Sequence, residues 1–237
     1  MIMFHGGVVM DASDNTIIFI TGAGISAPSG IPTFRSDDGL WNKYPIEKVA
    51  TKQAIDKDPK YVMEFWNKIR REMFNASPNA AHYAITRLQE KYNVIVITQN
   101  IDDLHERAGN KNVIHLHGDI NYVRPLIDSG DWYEDPVNTF IGNANIPDGM
   151  RPSIVLFDED IENFKEAKLA IKSDDVCKVV VVGTSLDVYP ANTLVKLAPF
   201  SADKNIIDLN PNFIFGYTKH IGSADDILPL LVDDWMK

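Results

Sequence analysis

The chain has 237 residues, 45% of them hydrophobic, and a formal net charge of −10. That length suits one α/β domain with a modest insertion, and the acidic balance argues against nucleic-acid binding while remaining compatible with lysine-rich protein partners. The single cysteine, Cys177, excludes an intrachain disulfide framework; with no charged leader and no apolar run of membrane-spanning length, the expectation is a soluble, cytoplasmic protein with no membrane partner.

The first predicted element is an apolar strand, Thr16–Ile20, running into the loop TGAGISAPSGIPTFRSDDGLW from Thr21 to Trp41. Gly22, Gly24 and Ala27 fit the G-x-G-x-x-G/A pattern that opens a dinucleotide-binding βαβ unit. In that pattern Gly22 permits a tight turn and Gly24 lets backbone N–H groups approach a pyrophosphate. Ala27 allows a helix to pack closely on the sheet. The second glycine turn, Ser29-Gly30, and the Pro32-Thr33-Phe34-Arg35 run after it are not how a dehydrogenase fingerprint continues. No acidic residue follows at fingerprint spacing either, since Asp208 lies far too distant from Gly22.

Between Ile46 and Gln89 the pattern turns helical. Val62, Phe65, Trp66, Ile69 and Met73 recur at helix-face spacing and are expected in the core, and Ser77-Pro78-Asn79 breaks the chain before Ala80–Lys91 resumes it. A second strand, Val94–Ile97, leads to Gln99, Asn100 and Asp102. Two amides and a carboxylate at a strand end can hold ribose hydroxyls and a carboxamide; the alternative for Asp102 is to cap a helix starting near Leu104, with Asp103 turned to solvent. The His115-Leu116-His117-Gly118 segment offers an imidazole whose ordinary pKa, near ~6.5, suits proton transfer at neutral pH. A strand placing His115 and His117 on one face as satisfied structural residues is the alternative. His82, His105 and His220 lack metal-ligand spacing. The stretch from Ile127 to Met150 is polar and irregular. Strands Val179–Val182 and Asn205–Leu209 follow, with a closing helix over Ala224–Met236. Continuous apolar runs indicate parallel strands covered on both faces. Each chemical motif falls at a strand's carboxyl end, where open α/β sheets bind ligands, so one shared site is expected.

Taken together, the Gly22 loop, TQNIDDLHERAG at Thr98–Gly109, HLHG at His115–Gly118 and GTSLDVYPA at Gly183–Ala191 resemble the sirtuin family of NAD-dependent protein deacylases, the bacterial deacylase branch most closely. The resemblance runs from about Thr16 to the end, with a gap from about Pro125 to Met150. It implies an α/β fold: a Rossmann-like parallel sheet with helices on both faces, plus a smaller inserted helical and irregular module. Residues of about 14–40, 80–124 and 150–237 would form the Rossmann-like part, and about 41–79 and 125–149 the module, within a single catalytic unit spanning 1–237. It implies NAD as cofactor and acylated-lysine proteins as substrates, with release of nicotinamide and transfer of the acyl group to ADP-ribose. His117 would be the base, and Asn100 and Asp102 would orient ribose and nicotinamide. Gly22, Ala23, Gly24, Ile25, Ser26, Thr33, Phe34, Arg35, Trp41, Gln99, Ile101, Gly183, Thr184, Ser185, Asn210 and Ala224 would complete the cofactor site. Val155, Leu156, Phe157, Asp158 and Glu159 would face the substrate.

Three departures from the family pattern carry expectations of their own. Bacterial deacylases usually place two cysteine pairs in the irregular stretch to hold a structural zinc, whereas this chain has one cysteine, elsewhere. The expectation is no structural zinc, with the module held by packing through Trp132, Tyr133 and Phe140. Leu156 stands where the family often has Trp, and Asp158 where it has Gly. These two changes and the missing zinc cysteines fall on the substrate side and favour the alternative function, an NAD hydrolase or ADP-ribosyltransferase using the same pocket. Finally, the Tyr and Arg by which some branches bind succinyl or malonyl carboxylates correspond to Trp66 and Ile69, with Arg70 adjacent, which points to neutral acyl groups.

Overall fold

The computed structural model describes residues 15–34, 39–126, 138–161 and 163–237; Arg35, Trp132 and Tyr133 lie outside them. The strands are β1 (Thr16–Thr21), β2 (Asn93–Thr98), β3 (Val113–His115), β4 (Gly118–Pro125), β5 (Thr139–Phe140), β6 (Met150–Ile154), β7 (Val176–Val182), β8 (Asp203–Asp208) and β9 (Thr218–Ile221). Six of them form one sheet in the order β3-β2-β1-β7-β8-β9, with every neighbouring pair parallel. The helices are α1 (Ala23–Ser26), α2 (Leu40–Lys43), α3 (Ile46–Val49), α4 (Lys52–Lys57), α5 (Pro59–Asn75), α6 (Ala80–Arg87), α7 (Leu104–Arg107), α8 (Phe164–Ile171) and α9 (Ala224–Trp235). None is long and apolar enough to cross a membrane.

The unbroken apolar runs of β1 and β7 follow from cover on both sheet faces. Ile17 and Phe19 point to one face, where α6 and α9 bring Ala81, Ile85, Leu228 and Val232. Ile18 and Ile20 point to the other, against Ala167 and Ile171 of α8 and the turn of 3₁₀ helix at Ala191–Leu197.

A second body carries its own core. Val62, Phe65, Trp66, Ile69 and Met73, the stripe expected from helical spacing, all face inward from α5. Asp58 starts that helix by accepting from the Tyr61 amide, with Pro59 in the first turn. The helix ends at Asn75, three residues before Pro78. Asn79 then begins α6 in a capping box with His82. The sequence did not anticipate the three-stranded antiparallel sheet β5-β4-β6, whose Ile120, Val123 and Ile154 join the α5 core. Pairing of β4 with β6 breaks register between Asp119 and Val123, which interrupts the alternation by which strands are read.

Arg70 holds this body together. Only 1% exposed, it donates Nε–H to the Ile120 carbonyl at 2.7 Å, and its terminal nitrogens to the carbonyls of Ala144 at 2.7 Å and Gly142 at 2.5 Å. Asn67 adds a contact, its Oδ1 accepting from the Ile146 amide at 2.8 Å. Phe140, expected to hold the module by packing, is 59% exposed and makes an edge contact with Tyr122. Among the described residues, no group of three or more His, Cys, Asp or Glu side chains is arranged to hold a metal ion.

Candidate active site

A cleft of about 670 Å³ opens at the carboxyl ends of β1, β2, β7 and β8. Its floor is main chain. The Gly22–Gly24 loop crosses the Gly183 turn so closely that a Cβ at Gly24 would sit 2.6 Å from the Gly183 Cα, and one at Gly22 would sit 2.6 Å from Thr184 Cβ. The Gly24 amide donates to the Gly183 carbonyl at 2.8 Å. Its glycine therefore serves the crossing of two loops, and its N–H is committed there rather than turned to a pyrophosphate. Ala27 differs from the fingerprint expectation too: it is exposed on the cleft, and α1 stops at Ser26. Ile25 and Ser26 are the residues buried against the interior.

At the end of β2, Gln99 reaches across to the turn after β7, its Nε2–H donating to Thr184 Oγ1 at 3.0 Å. Asn100 lines the cleft at 2% exposure, and its Nδ2–H donates to Ser26 Oγ at 3.1 Å. Ser26 in turn donates to Asp102 Oδ2 at 3.1 Å, while Asp102 Oδ1 accepts from the Leu104 amide at 3.2 Å. Asp102 is thus one layer behind the cleft wall. Burial pushes its carboxyl up to about 6 against the bonds from Leu104 and Ser26. Asp103 pairs with Arg107 at 3.6 Å and is partly buried rather than in solvent, and burial raises its carboxyl pKa as well.

His117 lines the cleft beside these groups. The strand ends at His115, so the expected alternation onto one face does not apply. The His117 Nδ1 lies 2.8 Å from the Gln99 carbonyl. A carbonyl can only accept, so the proton sits on Nδ1 and the basic lone pair on Nε2. His82 and His105, unremarkable in sequence, meet as fully buried rings with centroids 4.9 Å apart, and His105 Nε2 contacts Thr21 Oγ1 at 3.1 Å.

One wall is aromatic and apolar. Phe34 and Trp41 stack at 5.2 Å, and Trp41 meets Phe157 edge-on at 5.6 Å. Ala50, Trp66, Ile101, Ile154 and Leu156 continue that wall inward. Glu159 ties the segment down by accepting from the Leu156 amide and from Arg124 and Arg151. At the far end Asp208, Asn210 and Ala224 line the cleft. Glycine loops that leave main chain as floor, amides and carboxylates at the strand ends, and this volume fit a dinucleotide.

A profile of the Sir2 family matches residues 22–190. A curated NAD-dependent protein deacylase from Aggregatibacter actinomycetemcomitans is 46% identical over 197 residues, covering 82% of this chain and 93% of that protein. The chain belongs to the Sir2 family. A Sir2 homologue solved with ADP-ribose superposes with a TM-score of 0.83 at 33% identity, covering 94% of this chain and 92% of that one. A Sir2 homologue–NAD complex gives 0.77 at 34% identity, covering 98% and 96%.

The residues that the Sir2 resemblance singles out fall into two groups in this chain. Gly22, Ala23, Gly24, Thr33, Phe34, Trp41, Gln99, Asn100, Ile101, His117, Val155, Leu156, Phe157, Glu159, Gly183, Thr184, Ser185, Asn210 and Ala224 share the one cleft. Ile25, Ser26, Asp102 and Asp158 do not line it. Asp158 turns away, and both its carboxylate oxygens accept from the Lys52 amide, at 2.9 and 3.0 Å, at the start of α4. Asp208, set aside on spacing, reaches the cleft because β8 lies beside β7 in the sheet. Ala50 carried no signal in the sequence; its carbonyl accepts from the Phe157 amide at 3.0 Å, joining the end of α3 to the chain after β6.

Proposed function

We propose that this chain is an NAD-dependent protein-lysine deacylase that transfers the acyl group to ADP-ribose and releases nicotinamide. The observation that carries it is a single cleft in which His117, with its basic Nε2 set by the Gln99 carbonyl, stands between glycine-loop walls and an apolar channel. Bound NAD supplies the ribose carbon that takes the acyl oxygen as nicotinamide departs. His117 Nε2 accepts the proton of a ribose hydroxyl, so that hydroxyl can take over the acyl group, while the acyl–nitrogen bond breaks, the lysine amine leaves and one water is consumed overall. Asn100, held through Ser26 by Asp102, orients the nicotinamide side. Phe34 and Trp41 cover the reacting sugar and exclude water. Leu156, Phe157 and Trp66 wall the acyl-lysine channel. Acylated-lysine proteins are the substrates, and the cytoplasm is the compartment consistent with a chain that has one cysteine.

Of the departures that favoured NAD hydrolysis or ADP-ribosyl transfer, two have structural uses, Asp158 accepting from the Lys52 amide at the start of α4 and Leu156 as a core residue 3% exposed. The acyl groups are neutral. Ile69 is buried in the core, the Arg70 guanidinium is committed to three carbonyls, and no Lys or Arg lines the cleft among the described residues. A carboxylate entering the channel walled by Leu156, Phe157 and Trp66 would lose water with no Lys or Arg lining the cleft among the described residues. Acetyl- and butyryl-lysine peptides are expected to turn over with kcat/KM at least about a hundredfold above succinyl-lysine peptide. Comparable values for the succinyl peptide would overturn the acyl assignment.

A further inference from the structure

His115 is not needed by the chemistry above, yet its ring is built into the same turn. Two successive carbonyls are each held by a histidine two residues apart: Gln99 by His117 Nδ1 at 2.8 Å, and Asn100 by His115 Nδ1 at 3.2 Å. The other His115 nitrogen, Nε2, lies 2.8 Å from Glu106 Oε1 on α7. A ring that donates to a carbonyl on one side and a carboxylate on the other uses both N–H groups, which only the imidazolium has. The His115 side chain is 12% exposed and that of Glu106 39% exposed, so solvent reaches the pair from one side only.

We propose that His115 is a positioning residue for the cofactor site: braced by Glu106, its imidazolium fixes the Asn100 carbonyl and with it the amide that faces nicotinamide. The ionisable groups around the ring are Glu106 and His105 from α7, Asp102 from the turn and Asp119 from β4. Burial opposes the charge. The bond and charge of Glu106, the charge of Asp119 and the Asn100 carbonyl outweigh it and raise the ring to about 9. The clamp is therefore present at neutral pH and is released as pH rises through about 9.

The inference rests on the deacylase reading of the cleft, so its test reads NAD binding directly. NAD is titrated by the fluorescence of Trp41 and Trp66 from pH 6 to 10, alongside KM values for NAD and for acetyl-lysine peptide, in wild type, Glu106→Gln and His115→Phe. In the wild type, affinity for NAD falls above about pH 9. In Glu106→Gln that fall moves down toward the ordinary histidine value near ~6.5, and at pH 8 the KM for NAD rises about fivefold while the KM for peptide stays put. His115→Phe binds NAD weakly at every pH and loses the pH step. If His115→Phe does not fold, Glu106→Gln, on the more exposed partner, decides alone. An unmoved pH step and an unchanged KM for NAD, even with a lowered melting temperature, would overturn the inference and leave a merely structural ion pair. A shifted step in NAD binding, with no turnover of any acyl peptide, would keep it and overturn the deacylase reading instead.

Discussion

Ser26 shows how much of this site depends on a residue that never touches the cleft. Its hydroxyl accepts from Asn100 and donates to Asp102, so one oxygen orients both, and all three are at most 3% exposed. Ser26→Ala leaves two buried polar groups each short of a partner, which costs about 1–3 kcal/mol. The expected outcome is a lower urea midpoint together with a raised KM for NAD; a fall in stability with unchanged KM would show that the relay does not position Asn100. His82 is the second residue with a measurable signature. Burial lowers its pKa to about 4, against about 6.5 unfolded, so its contribution is complete above pH 6.5 and is lost as pH falls toward 4. Between pH 7 and 5 this amounts to about 2 kcal/mol. His82→Gln should therefore lose less stability than wild type over that interval in paired denaturation curves, and parallel losses would contradict it.

At the scale of elements, the strands were legible because two-sided cover makes apolar runs continuous, as in β1 and β7. The α5 stripe was legible because its period survives along 17 residues. The small antiparallel sheet was not, since β5 has two residues and the β4–β6 register breaks after Asp119. Contacts distant in sequence were not legible either. Nothing local marks Ser26 as the neighbour of Asp102, 76 residues on, or Arg70 as the anchor of Gly142 and Ala144. Gln99 and His117 were legible as candidates from their places after a strand, and the family pattern gave them roles, whereas the tautomer of His117 needed the position of the Gln99 carbonyl. Arg70 also yields an element-scale prediction. Arg70→Met strands three carbonyls and should cost about 3 kcal/mol in urea denaturation, while a chelator should leave the melting temperature of the wild type unchanged. Chelator-induced unfolding would contradict a module held by this guanidinium.

At the scale of the whole molecule, two cores meet along one cleft. The parallel sheet supplies glycine loops and polar strand ends, and the α5 body supplies the aromatic and apolar wall, within which the Phe157 amide donates to the Ala50 carbonyl. The glycine-loop floor and the apolar wall are therefore built by different bodies, and His117 lines the cleft between them. In an NAD-dependent deacylase this junction must couple the departure of nicotinamide to acyl transfer. The direct measurement is nicotinamide release from NAD by wild type and His117→Ala, with and without an acetyl-lysine peptide. Release is expected to require the peptide, with one acyl-ADP-ribose formed per nicotinamide, and that product is expected to be lost in His117→Ala with most NAD binding retained. Equal release without any acyl peptide would contradict it and identify an NAD hydrolase or ADP-ribosyltransferase in the same cleft.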